Sequence, residues 1–550
     1  MKNNLIEQKK SIFLIIFYFF GLIVGFIIFK DYGIHIEEKY HRLNGHYWLN
    51  YISKIFNLSE LQAITEYKIS KIYDYTLSQV SYYNKWGVIF DVPVAFLEIL
   101  LNLEKINEIY YFKHLLSYVV FLTGSFFFFK ILELRYKNFY LSFLGLILYL
   151  TTPRIFGDSF LYKDTLFLSI FTITLFFFLK SIINLNYTNL ILFSLFSALS
   201  FNLKIFTILI PIIFSIILII QNFFNKKNLF FLNKFLFYLL FFLTFTFIFW
   251  PYLWESPIKN FVELFASARK DLIDVRILYF NEYIQNTLLP SSYLINWLFI
   301  SSPIFQNLLF ILGFVSCGSR IVRRLISIEN KMDFHDLWRG EKEKVDFIFF
   351  FIFISFLLFF LVLNAPFYNG WRLVYFFNFF VIFFAVNFLF YLKLIFKKRK
   401  LYKIFSISIF LILISYNSFN LISYHPFQSI YFNNFLTKNI INGFEGDYYG
   451  ISTKHFFNKI LEIDKRKKIK IAVASHTPLQ RGLEAFPVNI QKRFEIVGQE
   501  YVIADYIYKN NISEVNINLN KKYEIPKNFS KIYEFNIKKL LIYEIYKLKS

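Results

Sequence analysis

The sequence predicts a polytopic α-helical membrane protein with a small α/β domain at its C-terminus. Three observations carry that prediction. The chain is 57% hydrophobic, with 79 Phe and a mean hydropathy of +0.47, far more apolar than a soluble protein of 550 residues. Apolar windows recur up to Tyr416, many of them close to the length that crosses a bilayer. Beyond Tyr416 Lys, Glu and Asn rise, and short β-prone runs appear at 468–474 and 538–546. We therefore divide the chain into a multi-spanning domain, 1–416, and a small domain, 417–550.

The windows give about eleven crossings at ~20 residues each, several of them short or interrupted by Pro. In order they cover residues 11–29, 114–131, 139–150, 165–179, 190–202, 205–220, 229–250, 293–317, 347–363, 373–392 and 404–416. Loop charge orients them. Lys9 and Lys10 precede the first window, and Lys130, Arg135 and Lys137 follow the second. Lys226 and Lys227 follow the sixth, Arg320, Arg323, Arg324, Lys342 and Lys344 follow the eighth, and Lys397–Lys400 follow the tenth. Strict alternation puts all of these on one side, which the positive-inside rule makes cytoplasmic together with the N-terminus. An odd number of crossings places the C-terminal domain outside, in a bacterial periplasm or its equivalent. The setting expected is a bacterial inner (plasma) membrane.

Four segments then face outward. Residues 30–113 form a long first loop, whose stretch 86–103 is amphipathic and suits the membrane surface. Residues 151–164 form a short second loop, 251–292 a Trp- and Tyr-rich third, and 364–372 a tight fourth. The formal charge of +23 belongs to this topology rather than to nucleic acid, for which no motif occurs. The single Cys317 excludes an internal disulfide and a multi-Cys metal site. The first window lacks a small-residue cleavage site and reads as a retained anchor. No internal repeat of the kind seen in many transporters is visible.

Charges beside apolar windows are costly, so each asks for a role. Glu37 and Glu38, in GIHIEEKYHRLNGHYWLN, emerge just past the first window on the side opposite the N-terminus. A carboxylate at that boundary suits proton abstraction from an acceptor while a lipid-borne donor lies alongside. The plain alternative is a solvated loop. The second loop, TTPRIFGDSFLYKD, carries Asp158 and Asp164 with Arg154 and Lys163 among them, and Pro153 and Gly157 permit a turn. It is either a functional cluster or a charge-neutral cap. Lys204 separates two apolar runs, so it meets an anion or snorkels. Arg372, in FYNGWRLVYF, sits at an outer edge, where its planar fork suits a phosphate. Trp371 beside it can stack on a sugar face or a lipid chain. Glu282 and Gln285 of the third loop are candidate acceptor contacts. His425, Gln428, Asp447 and Tyr448 are the polar candidates of the last domain, against the plain reading of ordinary surface groups. No H-E-x-x-H, G-x-S-x-G or P-loop pattern occurs, and no dense His/Asp cluster marks a metal cage.

Taken in order, GIHIEE, NGHYWLNY, PRIFGDSFLYKD, FWPYLWESP, NTLLPSSYLINWLFISSP, YNGWR, YHPFQSIYFNNF and FEGDYYGIS resemble the loops of membrane-embedded GT-C glycosyltransferases. The nearest branch is the bacterial relatives of protein O-mannosyltransferases, glycosyltransferase family 39. The resemblance covers most of the chain. It implies a GT-C-like fold and transfer of a sugar from a single-phosphate polyprenyl donor to a protein, lipid or polysaccharide hydroxyl. It implies no cofactor and no dedicated metal. Such enzymes carry an Asp-Glu pair in the first outward loop; here Glu37 takes the place of the Asp, one methylene longer, followed by Glu38. By the same resemblance Asp164 is the second-loop acid, and Arg372 and Lys204 face the donor phosphate. Arg154, Asp158, Lys163, Trp371, Glu282, His425 and Gln428 are the candidate substrate contacts, YHPFQ being a possible interface between the last domain and the membrane core. Direct displacement at the anomeric carbon would invert it. Two other readings compete: a flippase for a lipid-linked saccharide, and a non-catalytic relative in envelope assembly.

Overall fold

The structure, a computed structural model, describes residues 2–72, 87–161, 163–225, 228–270, 275–329, 337–363, 367–370, 372–395 and 400–549. Trp371, Lys226, Lys227 and the residues 397–399 of the basic run lie outside the described residues.

Among the described residues seven helices are long and apolar enough to cross a membrane: Ile6–Ile28, Ile106–Tyr136, Asp164–Ile183, Phe230–Ile248, Ile304–Ile328, Gly340–Val362 and Phe377–Ile395. Four shorter apolar helices, Phe139–Thr151, Tyr187–Leu203, Ile205–Gln221 and Ser408–Ser423, accompany them. Every apolar window overlaps one of these helices, so hydrophobic length dictates where helix forms. The first helix leaves Ile15, Phe19, Phe20, Phe26 and Ile27 more than half exposed, a surface that only lipid or another apolar partner covers. Helix Phe377–Ile395 is its opposite. Phe379, Phe380, Phe383 and Phe384 are fully buried, packed edge-to-face on Phe349 and Phe353 of helix Gly340–Val362.

Local sequence explains the connections. Lys137 takes the left-handed conformation (φ 48°) that ends helix Ile106–Tyr136, and the Asn138 side chain accepts from Leu141 N to start the next helix. The window 293–317, read as one crossing, is two helices, Ser292–Ile300 and Ile304–Glu329. Pro303 lacks the N–H needed to continue the first helix. The carbonyls freed there find other donors: Asn307 Nδ2 reaches Phe299 O at 2.9 Å and Ser302 O at 3.2 Å, and Asn433 N reaches Ile300 O at 2.7 Å.

Within 30–113 the described residues form helices Glu38–Ile55, Ser59–Ile72 and Asp91–Leu100. In the last of these the polar Asp91 and Glu98 are buried, while Phe96, Leu100 and Leu101 are exposed. Its apolar side faces away from the protein, as in a helix lying on a lipid surface.

The last apolar helix runs from Lys400 to Ser423. The chain then folds back on the bundle: Phe432 and Phe444 pack on Trp297 at 5.7 and 5.6 Å, and Phe444 bridges to Tyr279. Tyr279 ends β1 (Arg276–Tyr279), which pairs with β2 (Glu282–Gln285) through a turn with positive φ at Phe280 and Asn281. Beyond it a five-stranded sheet is built from β3 (Ile469–Val473), β4 (Phe494–Ile496), β5 (Tyr506–Lys509), β6 (Phe529–Ile537) and β7 (Leu540–Leu548), in the order β4-β3-β5-β7-β6. β3 is parallel to both neighbours; β7 is antiparallel to β5 and β6. Helix Thr453–Ile463 covers one face, with Phe456 on Tyr508 and Phe457 on Phe494. The β-prone runs 468–474 and 538–546 are β3 and β7, and mixed pairing with a covering helix makes this a small α/β unit.

Charged candidate site at one end of the helix bundle

Five segments far apart in sequence meet at one end of the bundle. The first is the chain leaving helix Lys2–Ile28. Gly33 lies so close to the turn at Ile451 that a Cβ would stand 2.0 Å from Ile451 O, and Ile36 N donates to Tyr449 O at 3.0 Å. This strap delivers Glu37 to the start of helix Glu38–Ile55. The second is the start of helix Asp164–Ile183, where Lys163 holds φ 91°, ψ −66°, a rare and strained γ-turn geometry. The third is the break at Lys204 between two helical runs. The fourth is the short 3-10 turn Arg372–Val374. The fifth is the turn at Asp447, whose carboxylate accepts from Ile451 N and Ser452 N at 3.1 and 2.7 Å, with Gly450 at φ 71°.

Arg372 is the hub. Its Nη1 and Nη2 donate to the two oxygens of Glu37 at 3.2 and 2.7 Å, a forked pair, and its Nε donates to Asp164 Oδ2 at 3.3 Å. The guanidinium lies 5.1 Å over the Tyr449 ring, and the Tyr449 hydroxyl donates to Asp164 Oδ2 at 3.0 Å. Lys204 Nζ reaches Asp164 Oδ1 at 3.4 Å. Lys163 Nζ and His41 Nε2 both stand 3.9 Å from Glu37 Oε2. Glu37 keeps 20% of its side chain exposed and Lys163 30%, so the cluster opens to its surroundings on that side.

Burial pushes the Glu37 carboxyl up, but Arg372 and then Lys163 outweigh it and hold it well below the usual carboxylate range. Burial lowers Lys204 to about 8 against the pull of Asp164. Burial, opposed by Arg154 and reinforced by Asp164, lifts Asp158 well above its ordinary value. Three basic side chains, Arg372, Lys204 and Lys163, thus face the two acids Glu37 and Asp164 in the hub. Such a set can accept an anion by exchanging one carboxylate for it.

Other candidates lie elsewhere. Glu38 is buried against Lys113 at 2.7 Å, turned away from Glu37. Arg154 is buried between the Trp297 and Phe432 rings, donating to Tyr431 O at 2.8 Å and to the Tyr448 hydroxyl at 3.3 Å, and so ties the second loop to the C-terminal chain. His425 pairs with Asp31 at 3.0 Å, and Gln428 accepts from the Tyr32 hydroxyl at 3.0 Å and donates to Leu421 O. Both bind the chain after the first helix and stand apart from the charged hub. Glu282 is exposed on β2 and makes no contact with the hub.

Two hub residues escaped the sequence reading, Tyr449 and His41. Tyr449 is the second Tyr of FEGDYYGIS, and nothing local separates it from Tyr448. His41 had a signal, since it lies four residues after Glu37 on one helical face. It extends the cluster inward, its Nδ1 standing 3.3 Å from Asp91 Oδ2. Among the described residues no group of three or more His, Cys, Asp or Glu is placed to hold a metal.

Fold and site together define a helical membrane protein with an ionic hub at one end of its bundle. No protein-family model and no curated protein matches the chain.

Proposed function

We propose that this chain transfers a sugar from a polyprenyl-phosphate donor to an acceptor hydroxyl at the outer face of a bacterial inner membrane. The observation that carries the reading is the forked Arg372–Glu37 pair, braced by Asp164, Lys204 and Lys163 at a bundle end that remains partly open. The hub sets three basic side chains against two acids, an arrangement that suits the single negative charge of a phosphodiester donor. The resemblance of the loops to GT-C glycosyltransferases supplies the reaction class.

In this mechanism the donor phosphate takes Arg372, with Lys204 beside it. Glu37 then loses the partner that depresses its carboxyl and becomes a stronger base. It removes the proton of the acceptor hydroxyl as that oxygen forms its bond to the anomeric carbon. The bond from that carbon to the phosphate oxygen breaks, and its electron pair leaves with the polyprenyl phosphate, now carrying a second negative charge. Arg372 and Lys204 stabilise that charge. One displacement inverts the anomeric centre.

A second reading draws on the same pair. Both Glu37 oxygens are already engaged by Arg372, as they would stay in a non-catalytic relative. One assay separates the two. Purified full-length protein is given a panel of polyprenyl-phosphate sugars with envelope extract as acceptor, beside Glu37→Gln. The transferase reading expects release of polyprenyl phosphate by wild type and a loss of ~100-fold or more in the variant, the scale of removing a general base. Equal release by both, or none from folded, lipid-bound wild type with any donor, overturns it.

A further inference from the structure

A cavity of about 590 Å³ opens at the other end of the bundle. It lies where helix Lys2–Ile28 begins and where helices Ile106–Tyr136 and Asp164–Ile183 end. Asp164 of the ionic hub and Lys180 of the cavity share one helix and are about 24 Å apart at ~1.5 Å per residue. That separation approaches the thickness of a hydrocarbon core, ~30 Å. The cavity therefore belongs to the opposite membrane face.

Its lining is amphiphilic. Four lysines, Lys10, Lys130, Lys137 and Lys180, share it with two acids, Glu7 and Glu133, and with Phe126, Phe127, Phe139 and Phe176. Lys10 pairs with Glu7 at 2.7 Å and Lys130 with Glu133 at 2.9 Å. Lys137 and Lys180 have no carboxylate partner among the described residues. Lys180 lies 5.8 Å over the Phe176 ring and Lys10 5.8 Å over Phe139, so charge and apolar surface alternate around the opening. Loop charge that only fixes orientation needs no concave wall of phenyl rings. A basic recess between helices at a membrane face is the form that binds anionic lipid headgroups.

We propose that this cavity holds the headgroup of an anionic phospholipid from the leaflet at the N-terminal face. The phosphate pairs with Lys137 and Lys180, and the proximal acyl chain lies along the phenylalanines. The observed complementarity is two cations in excess together with an apolar wall, which a soluble phosphate would leave unused.

The test is native mass spectrometry of the full-length protein released from mixed micelles of phosphatidylglycerol and phosphatidylcholine. Wild type is expected to retain one phosphatidylglycerol in preference to phosphatidylcholine. In Lys137→Gln/Lys180→Gln that preference is expected to fall about tenfold or more, on the scale of lysines beside an anionic surface. Lys180→Arg, which keeps the charge, is expected to retain it, and a thermal melt of each variant reports folding. Millimolar inorganic phosphate is expected to leave retention unchanged. Equal retention of both lipids by wild type, an undiminished preference in the folded double variant, or displacement by inorganic phosphate each overturns the assignment.

Discussion

Glu37 and Glu445 are both acids set among buried groups, and their surroundings drive them in opposite directions. Glu37 meets a guanidinium on both oxygens and stays ionised. Glu445, fully buried, accepts from Asn369 Nδ2 at 2.6 Å and meets no cation among the described residues; burial, only partly opposed by Asn369, lifts it to about 8. A carboxyl raised on folding contributes stability that is fully present below its ordinary value near 4.5 and is lost as pH rises through about 8. Glu445→Gln keeps an oxygen for Asn369 and removes the proton. The variant is therefore expected to lose less stability between pH 5 and pH 8.5 than wild type, by roughly a few kcal/mol. Parallel melting profiles for the two proteins would contradict this account. Sequence marks where such acids lie and not what faces them. Glu37, Asp164, Lys204 and Arg372 were legible because charge at the edge of an apolar window is conspicuous. That one arginine would hold two acids from different loops was not legible, nor was the Lys113 that turns Glu38 away.

At the scale of elements, hydrophobic length accounts for the apolar helices, and close approaches account for how they dock. Gly33 and Gly21 show the difference. A methyl at Gly33 would collide with the Ile451 carbonyl, backbone against backbone, where neither side yields easily. A methyl at Gly21, on the first helix, would meet only Leu122 at 3.7 Å, an ordinary contact. Gly33→Ala is expected to cost about 1–3 kcal/mol of stability and to lower the proposed sugar transfer, because the strap that carries Glu37 must shift. Gly21→Ala is expected to leave both within about 0.5 kcal/mol of wild type or slightly more stable, since alanine is the better helix former. Thermal melts and transfer rates of the pair check this, and equal effects at the two sites would show that the close contact does not position Glu37. The window 293–317 teaches the complementary lesson. Pro303 stood in plain view, but hydropathy averages over it, and only the donors at Asn307 and Asn433 show why a break there is stable.

At the scale of the whole molecule the two bundle ends carry different chemistry. Arg135 and Arg320 both grip Asp346, at 2.5 and 2.7 Å, and Tyr391 donates to the same carboxylate at 3.2 Å, which ties the ends of four long helices at the face shared with the lysine cavity. Lys344 donates to Ile182 O at that same end. The acids and cations of the candidate site gather at the other. Of the basic residues that oriented the windows in sequence, Lys10, Lys130, Arg135, Lys137, Arg320 and Lys344 thus lie at one bundle end, although hydropathy and loop charge were read without any contact between helices. What those signals could not supply is the parity of the short helices, because four of the apolar helices fall below the length of an unaided span. The side of the C-terminal sheet depends on that parity. Cys317 is buried, so single cysteines placed elsewhere can be labelled against a quiet background. An odd number of crossings places exposed Lys9, near the start of the first helix, and exposed Glu495, on β4, on opposite sides. On the proposed placement in a bacterial inner membrane with the N-terminus inside, Glu495→Cys is expected to react with a membrane-impermeant maleimide in cells whose outer envelope has been opened, and Lys9→Cys only after the inner membrane is breached. Labelling of both from one side would mean an even number of crossings. It would separate the sheet domain from the face on which the proposed transfer occurs, and the contacts that join Tyr449 to Asp164 would then have to form across a bilayer, which a hydroxyl 3.0 Å from its acceptor forbids.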